Sequence, residues 1–114
     1  MREKLTEEYI REVWATEPRA WKPTTFQSTF LLNRALDADV TLASETLQVT
    51  GSFKFRAAYN LLAEIPQEEV ITTSSGNFGQ AVAYACMLLK KQCTVIMPLT
   101  SSKTKQAAIR AYGG

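Results

Sequence analysis

From Val70 onward the chain alternates a short β-branched run, a small-residue loop, a long apolar helical pattern, a second apolar run stopped by Pro98, and a last helical pattern. That order leaves little choice of architecture. Strand, helix, strand, helix reads as a parallel βαβα unit with a right-handed crossover. The strands are expected at 70–73 and 93–97, with the first helix near 78–89. Ser101 or Ser102 opens the final helix, Ala108, Ile109 and Tyr112 face inward, and Gly113-Gly114 stops it. A parallel sheet of this kind calls for a further strand after Gly114. On this reading the unit is incomplete, Leu61, Val82 and Ile109 lack cover, and exposed apolar surface drives aggregation or association.

The upstream half is less regular. Thr6 can cap a helix with Ile10, Val13 and Trp14 on one face and Pro18 just past its end. Residues 21–25 read as an irregular connector around Pro23. A second helix is expected over 28–36 with Phe30, Leu31, Ala35 and Leu36 inward. Asp37-Ala38-Asp39 makes a turn, and 40–44 alternates as a short strand with Val40 and Leu42 on one face. Ser52 then caps a third helix that runs to about Glu64, buries Phe53, Ala57, Leu61 and Leu62, and ends before Pro66.

Composition narrows the chemistry. With 114 residues, 46% of them hydrophobic, one modest core is possible. The net charge of +2 points to neither nucleic acid nor an anionic membrane, and the pairs Lys90-Lys91 and Lys103/Lys105 read as solvated faces. No apolar run approaches the roughly 20 residues of a membrane span, and the charged start carries no signal-peptide core. Cys86 and Cys93 sit in apolar surroundings without C-x-x-C spacing, which suits reduced thiols in a cytoplasmic protein. There is no histidine. Ser-His-Asp and Cys-His systems and histidine-ligated zinc are therefore excluded, and no metal ligands are assigned.

Two segments carry the remaining chemistry. Thr50-Gly51-Ser52-Phe53-Lys54 sets a lysine just inside a helix, behind a turn whose glycine lets the backbone approach a ligand. The flanking Phe53 and Phe55 give that lysine an apolar setting. Ser74-Ser75-Gly76-Asn77-Phe78-Gly79-Gln80 lies between a strand end and a helix start, where unpaired backbone N–H groups favour an anion. Alone, the first is an ordinary surface lysine and the second an ordinary helix cap. Neither is a nucleoside-triphosphate loop.

Together, and in this order, they resemble the threonine/serine dehydratase and serine racemase family. These are pyridoxal 5'-phosphate enzymes of fold type II, related to the tryptophan synthase β chain. The stretch from Ser44 to Ala58 is similar to E-x-L-Q-x-T-G-S-F-K-x-R-G-A, and the second segment to S-S-G-N-H-G-Q. Val95-Ile96-Met97-Pro98 and residues 105–113 continue the likeness. The resemblance implies that Lys54 carries pyridoxal phosphate, that Phe53 packs on its ring and that Asn77 binds the ring oxygen. It further implies that Ser74, Gly76, Asn77 and Phe78 hold the substrate carboxylate, and that Ser75 serves as a second acid/base opposite Lys54 in racemases. Phe78 departs from the family's histidine, keeping only its backbone N–H, and Ala57 replaces a glycine.

The implied fold is α/β, the N-terminal fragment of a two-domain fold type II enzyme. Residues 1–66 would begin the large cofactor domain, and 67–114 the smaller α/β domain. Family members run to roughly three times this length or more. Their glycine-rich phosphate loop and pyridine-nitrogen ligand have no counterpart in these residues. The implied activity is an ammonia-lyase that converts a hydroxy amino acid to a 2-oxo acid and ammonia. A serine racemase-like isomerase and a non-catalytic truncated or split piece are the alternatives, and a small anion-binding α/β module is a third. By itself the 114-residue chain is expected to bind the cofactor weakly and to be inactive, needing a C-terminal portion or a homo-oligomer.

Overall fold

The computed structural model describes residues 6–15 and 20–114. The core forms where two helices meet. These are α3 (Lys54–Glu64) and α4 (Asn77–Leu89), in an order that also contains α1 (Glu7–Ala15), β1 (Thr25–Gln27), α2 (Phe30–Leu36), β2 (Leu42–Ser44), β3 (Glu69–Thr73), β4 (Gln92–Ile96) and α5 (Lys103–Ala111). Phe55, Ala58 and Leu62 of α3 meet Ala81, Val82, Ala85 and Cys86 of α4 in one cluster. The small alanines let the two helix backbones approach, and the larger side chains fill the space between them. Phe55 is fully buried and stands edge-on to Tyr84, with ring centroids 5.4 Å apart.

The βαβα unit is present. β3 and β4 are parallel neighbours, Val70 opposite Cys93 and Thr73 opposite Ile96, and α4 connects them. α4 sits close on the sheet at Gly79, where an added Cβ would stand 3.0 Å from Val95 Cγ1 and 3.2 Å from Ser74 Cβ. A side chain there would need Val95 and Ser74 to give by a few tenths of an ångström. α5 ends as expected. Gly113 has φ +87 and its N–H donates to the Arg110 carbonyl, while the Gly114 N–H donates to that of Ile109. Val82 and Ile109 are 3% and 4% exposed, so the expectation that they lack cover is corrected: α3 covers the one, α5's seat against α4 the other. Leu61 does remain exposed, as do Ile71 and Ile96 on the sheet face away from α4.

Several upstream expectations need correction. α3 buries Phe55, Ala58 and Leu62; Phe53 is 59% exposed, and Ala57 and Leu61 are also outside. Both sets repeat at helical spacing, and the position of α4 decides which set faces in. Ser52 does not cap α3. Its hydroxyl is buried without a partner, and the N-cap residue is Phe53 in helical conformation. α2 starts after Thr29, whose hydroxyl accepts from the Leu32 N–H; Phe30, Leu31, Ala35 and Leu36 are exposed, and Leu32 and Asn33 are half-buried instead. A strand, β1, begins at the last residue of the connector and runs through the unassigned residues 26–27, pairing antiparallel with β2. At three residues each, these strands give almost no periodic signal.

Thr6 does accept from the Tyr9 N–H, and α1 is tied to α3 by the Tyr9 hydroxyl, which donates to Glu64 and accepts from Asn60. Val13 is half-buried, whereas Ile10 and Trp14 are exposed. Pro18 lies outside the described residues. Lys91 is not a free surface charge, since its Nζ donates to the carbonyls of Ile65 (2.8 Å) and Gln67 (2.7 Å) and fastens the link between α3 and β3. Among the described residues no helix is long and apolar enough to cross a membrane.

Because Phe55 is the bulkiest fully buried side chain of the α3–α4 seam, Phe55→Ala should cost about 3–5 kcal/mol of stability. Phe53→Ala should change it by no more than about 0.5 kcal/mol. Denaturant unfolding of the two variants checks the assignment of faces.

Candidate active site

Lys54 is the first residue of α3, half-buried, with its Nζ 4.5 Å from the centroid of the exposed Phe53 ring. The turn before it is set by Gly51, at φ +70, whose N–H donates to the Gln48 carbonyl at 2.7 Å. On either side of that glycine, Thr50 and Ser52 are each 8% exposed, and neither hydroxyl has a hydrogen-bond partner. Buried hydroxyls are ordinarily satisfied. Two such orphans flanking the turn mark a place where a bound polar group fits.

The second segment starts α4. The Ser74 N–H continues the parallel ladder to the Ile96 carbonyl, and the Ser74 hydroxyl accepts from the N–H groups of Gly76 (3.2 Å) and Gly79 (2.9 Å). The N-cap residue of α4 is Gly76, and Ser74, two residues before it, satisfies an amide of the helix's first turn with its own O–H left as a donor. Among the described residues the N–H groups of Ser75, Asn77 and Phe78 have no protein acceptor, and the side chains of Ser75 and Asn77 are exposed. Phe78 is half-buried and packs its ring on the core, leaving the loop only its backbone. Gly76 lies beside Lys105, whose Nζ is 3.3 Å from where a Cβ would stand. Lys105 is half-buried rather than part of a solvated face, while Lys103 is exposed. No hydrogen bond joins the two segments among the described residues.

Sequence reading passed over a polar network behind Lys54. Arg56 donates from Nε to Glu45 Oε2 (3.0 Å) and from Nη2 to Glu45 Oε1 (3.1 Å), Thr24 Oγ1 (3.2 Å) and the Lys22 carbonyl (2.8 Å). Gln48 donates from Nε2 to the same Lys22 carbonyl (2.8 Å) and to Glu45 Oε2 (3.1 Å), while its Oε1 accepts from the Lys22 N–H (2.8 Å). Hydrogen bonding from Arg56, helped by Thr24 and Gln48 and opposed by burial, lowers the Glu45 carboxyl from 4.5 to about 2. The letters E, Q and R of the first motif were the available signal. Their partners, at residues 22 and 24, are remote in sequence. Cys86 and Cys93 are free thiols, and burial pushes Cys86 up to about 12, so it is no nucleophile.

One segment sets a lysine behind a glycine turn, and the other is a strand-loop-helix whose first helical turn offers bare amides suited to an anion. The chain matches the family model of pyridoxal-phosphate dependent enzymes over residues 18–114, and it belongs to that family. It is 42% identical over 89 residues to an L-threo-3-hydroxyaspartate ammonia-lyase of a Pseudomonas species, covering 71% of this chain and 28% of that one. It is 40% identical over 96 residues to the biosynthetic L-threonine dehydratase of Mycobacterium tuberculosis, covering 81% of this chain and 22% of that one. The solved serine racemase of Dictyostelium discoideum superposes with a TM-score of 0.87 at 31% identity, over 96% of this chain and 38% of that one. The mixed α/β fold is therefore that of fold type II enzymes, and the chain spans about a quarter of the length of these curated relatives.

With Glu45 depressed, the stability it contributes is fully present above about pH 4.5 and is lost as pH falls toward about 2. The stability gap between the native chain and Glu45→Gln should therefore narrow across that window. Denaturant unfolding at pH 6 and at pH 2.5 checks it.

Proposed function

We propose that these residues form the lysine and asparagine ends of the active site of an ammonia-lyase acting on a hydroxy amino acid. The observation that carries the reading is Lys54 at the start of α3, beside two buried hydroxyls without partners. Pyridoxal phosphate supplies an aldehyde for the amine and a ring that accepts the electron pair left when a Cα proton departs. Lys54 Nζ holds the cofactor and, once displaced, takes that proton. Phe53, exposed and adjacent, offers its face to the ring. Asn77 donates its side-chain amide to the ring oxygen. The N–H groups of Asn77 and Phe78, with the O–H of Ser74 and the approach left clear by Gly76, which lacks a side chain, hold the substrate carboxylate and fix which proton faces Lys54. The β-hydroxyl leaves as water, and the released enamine takes up a water in hydrolysing to the 2-oxo acid and ammonia.

The exposed hydroxyl of Ser75 supports a second reading, a racemase in which Ser75 handles the proton on the opposite face. We keep the need for a C-terminal portion or a homo-oligomer as part of the proposal; a glycine-rich phosphate loop would have to come from the former, because none occurs in these residues or in a copy of them. We keep the division at 66/67 as part of the proposal, with residues 1–66 opening the large cofactor domain and 67–114 the smaller one. The free thiols of Cys86 and Cys93 support a cytoplasmic setting.

Incubation with pyridoxal phosphate, borohydride reduction and peptide mapping should place the label on Lys54. Label on Lys90, Lys103 or Lys105 with none on Lys54 would overturn the assignment. Asn77→Ala should weaken cofactor retention about tenfold or more, as loss of a charge-assisted hydrogen bond requires. In an enzyme completed with its C-terminal portion, release of 2-oxo acid from L-serine or L-threonine, against formation of D-serine, separates the lyase from the racemase.

A further inference from the structure

We propose that Glu45, Gln48 and Arg56 form a clasp that positions Lys54, an inference that rests on Lys54 being the cofactor lysine. The geometry is specific. Two acceptors, the Lys22 carbonyl oxygen and Glu45 Oε2, each receive one N–H from Gln48 and one from Arg56. Gln48 precedes the glycine turn and Arg56 lies in the first turn of α3, so both flanks of the lysine loop are fastened to the same two atoms. Everything between them, including Lys54, hangs from a closed ring of polar contacts.

The clasp is built to hold rather than to react. Gln48 is 6% exposed, and the Arg56 and Glu45 side chains are 22% and 15% exposed. Arg56 also stacks over the Trp21 ring at 5.6 Å, and Thr24 donates to Glu45 while accepting from Arg56. Gln48 pairs with both the N–H and the carbonyl of Lys22, as a neighbouring strand would, and its Oε1 also takes the Val49 N–H at 3.2 Å. A planar guanidinium and a planar amide meeting shared acceptors leave few alternative geometries. A loop that contains a positive-φ glycine has many conformations to lose. Fixing both ends removes most of them before any ligand arrives. The sign of Glu45 is essential, because a glutamine there turns one acceptor into an NH₂ facing the donors of Gln48 or Arg56.

The test compares Glu45→Gln and Gln48→Ala with Leu62→Ala, a core variant of α3 that loosens the fold without touching the clasp. Each full-length chain is held well below its melting temperature with pyridoxal phosphate and reduced, and the fraction of total label on Lys54 is measured. Amide hydrogen exchange is followed over residues 49–54. Both clasp variants should cut labelling at Lys54 about tenfold, the cost of a small misplacement, and speed exchange in 49–54, whereas Leu62→Ala keeps the native share. Should Glu45→Gln not fold, Thr24→Val carries the same expectation with a smaller, roughly threefold drop, since it removes one acceptor and one donor at the clasp's edge. A native chain that favours Lys54 and clasp variants that keep that preference would overturn the clasp alone. A native chain with no preference for Lys54 would overturn the cofactor-lysine reading, and the clasp's role with it.

Discussion

The close contact between α3 and α4 is the interaction on which the rest depends. Each helix begins with a candidate site residue, Lys54 on one and Asn77 on the other. Ala58, Ala81 and Ala85 thin the seam enough for the backbones to approach, and Phe55 fills what they leave. A packed interior is stiff, so the two helix starts inherit a fixed relation from side chains that never touch a ligand. β3 and β4 add to this by delivering the chain to Ser74 at the edge of a parallel pair, where ligands of open α/β sheets are commonly held.

Electrostatics are arranged on the same plan. The described charges do their main work as fasteners. Arg56 and Glu45 close the lysine loop, and Lys91 reaches two carbonyls at the far end of α3. The amides at the start of α4 are left open instead, with Lys105 close by at Gly76. Positive character therefore gathers where the proposed anion would sit, while Arg56 and Lys91 are already engaged.

What could be read from the amino acids alone follows the range of the forces involved. The βαβα order, the glycine stop at Gly113 and the turn at Gly51 are local in origin, and they are legible because backbone sterics and apolar period act over a few residues. The inward face of α3 was misjudged because Phe53, Ala57 and Leu61 repeat as well as Phe55, Ala58 and Leu62 do. Only a partner 20 or so residues away distinguishes them. β1 and the clasp share that difficulty, since Thr25 meets Ser44, and Lys22 meets Gln48 and Arg56, across long stretches of chain. The site motifs were readable as a pattern, whereas the scaffolding behind them was not, because a glutamine or an arginine reveals its partner only once the chain has folded.

The seat of α4 at Gly79 reaches further than packing. The same missing side chain faces Val95 in the middle of the sheet and Ser74 at the mouth of the loop. A methyl group there would press on both at once and shift the helix start by a few tenths of an ångström. The loop's aim is thus recorded in a residue that takes no part in chemistry. In a lineage that abandoned catalysis but kept the fold, this position would stay held by the seat of α4 on the sheet while the exposed loop residues drifted.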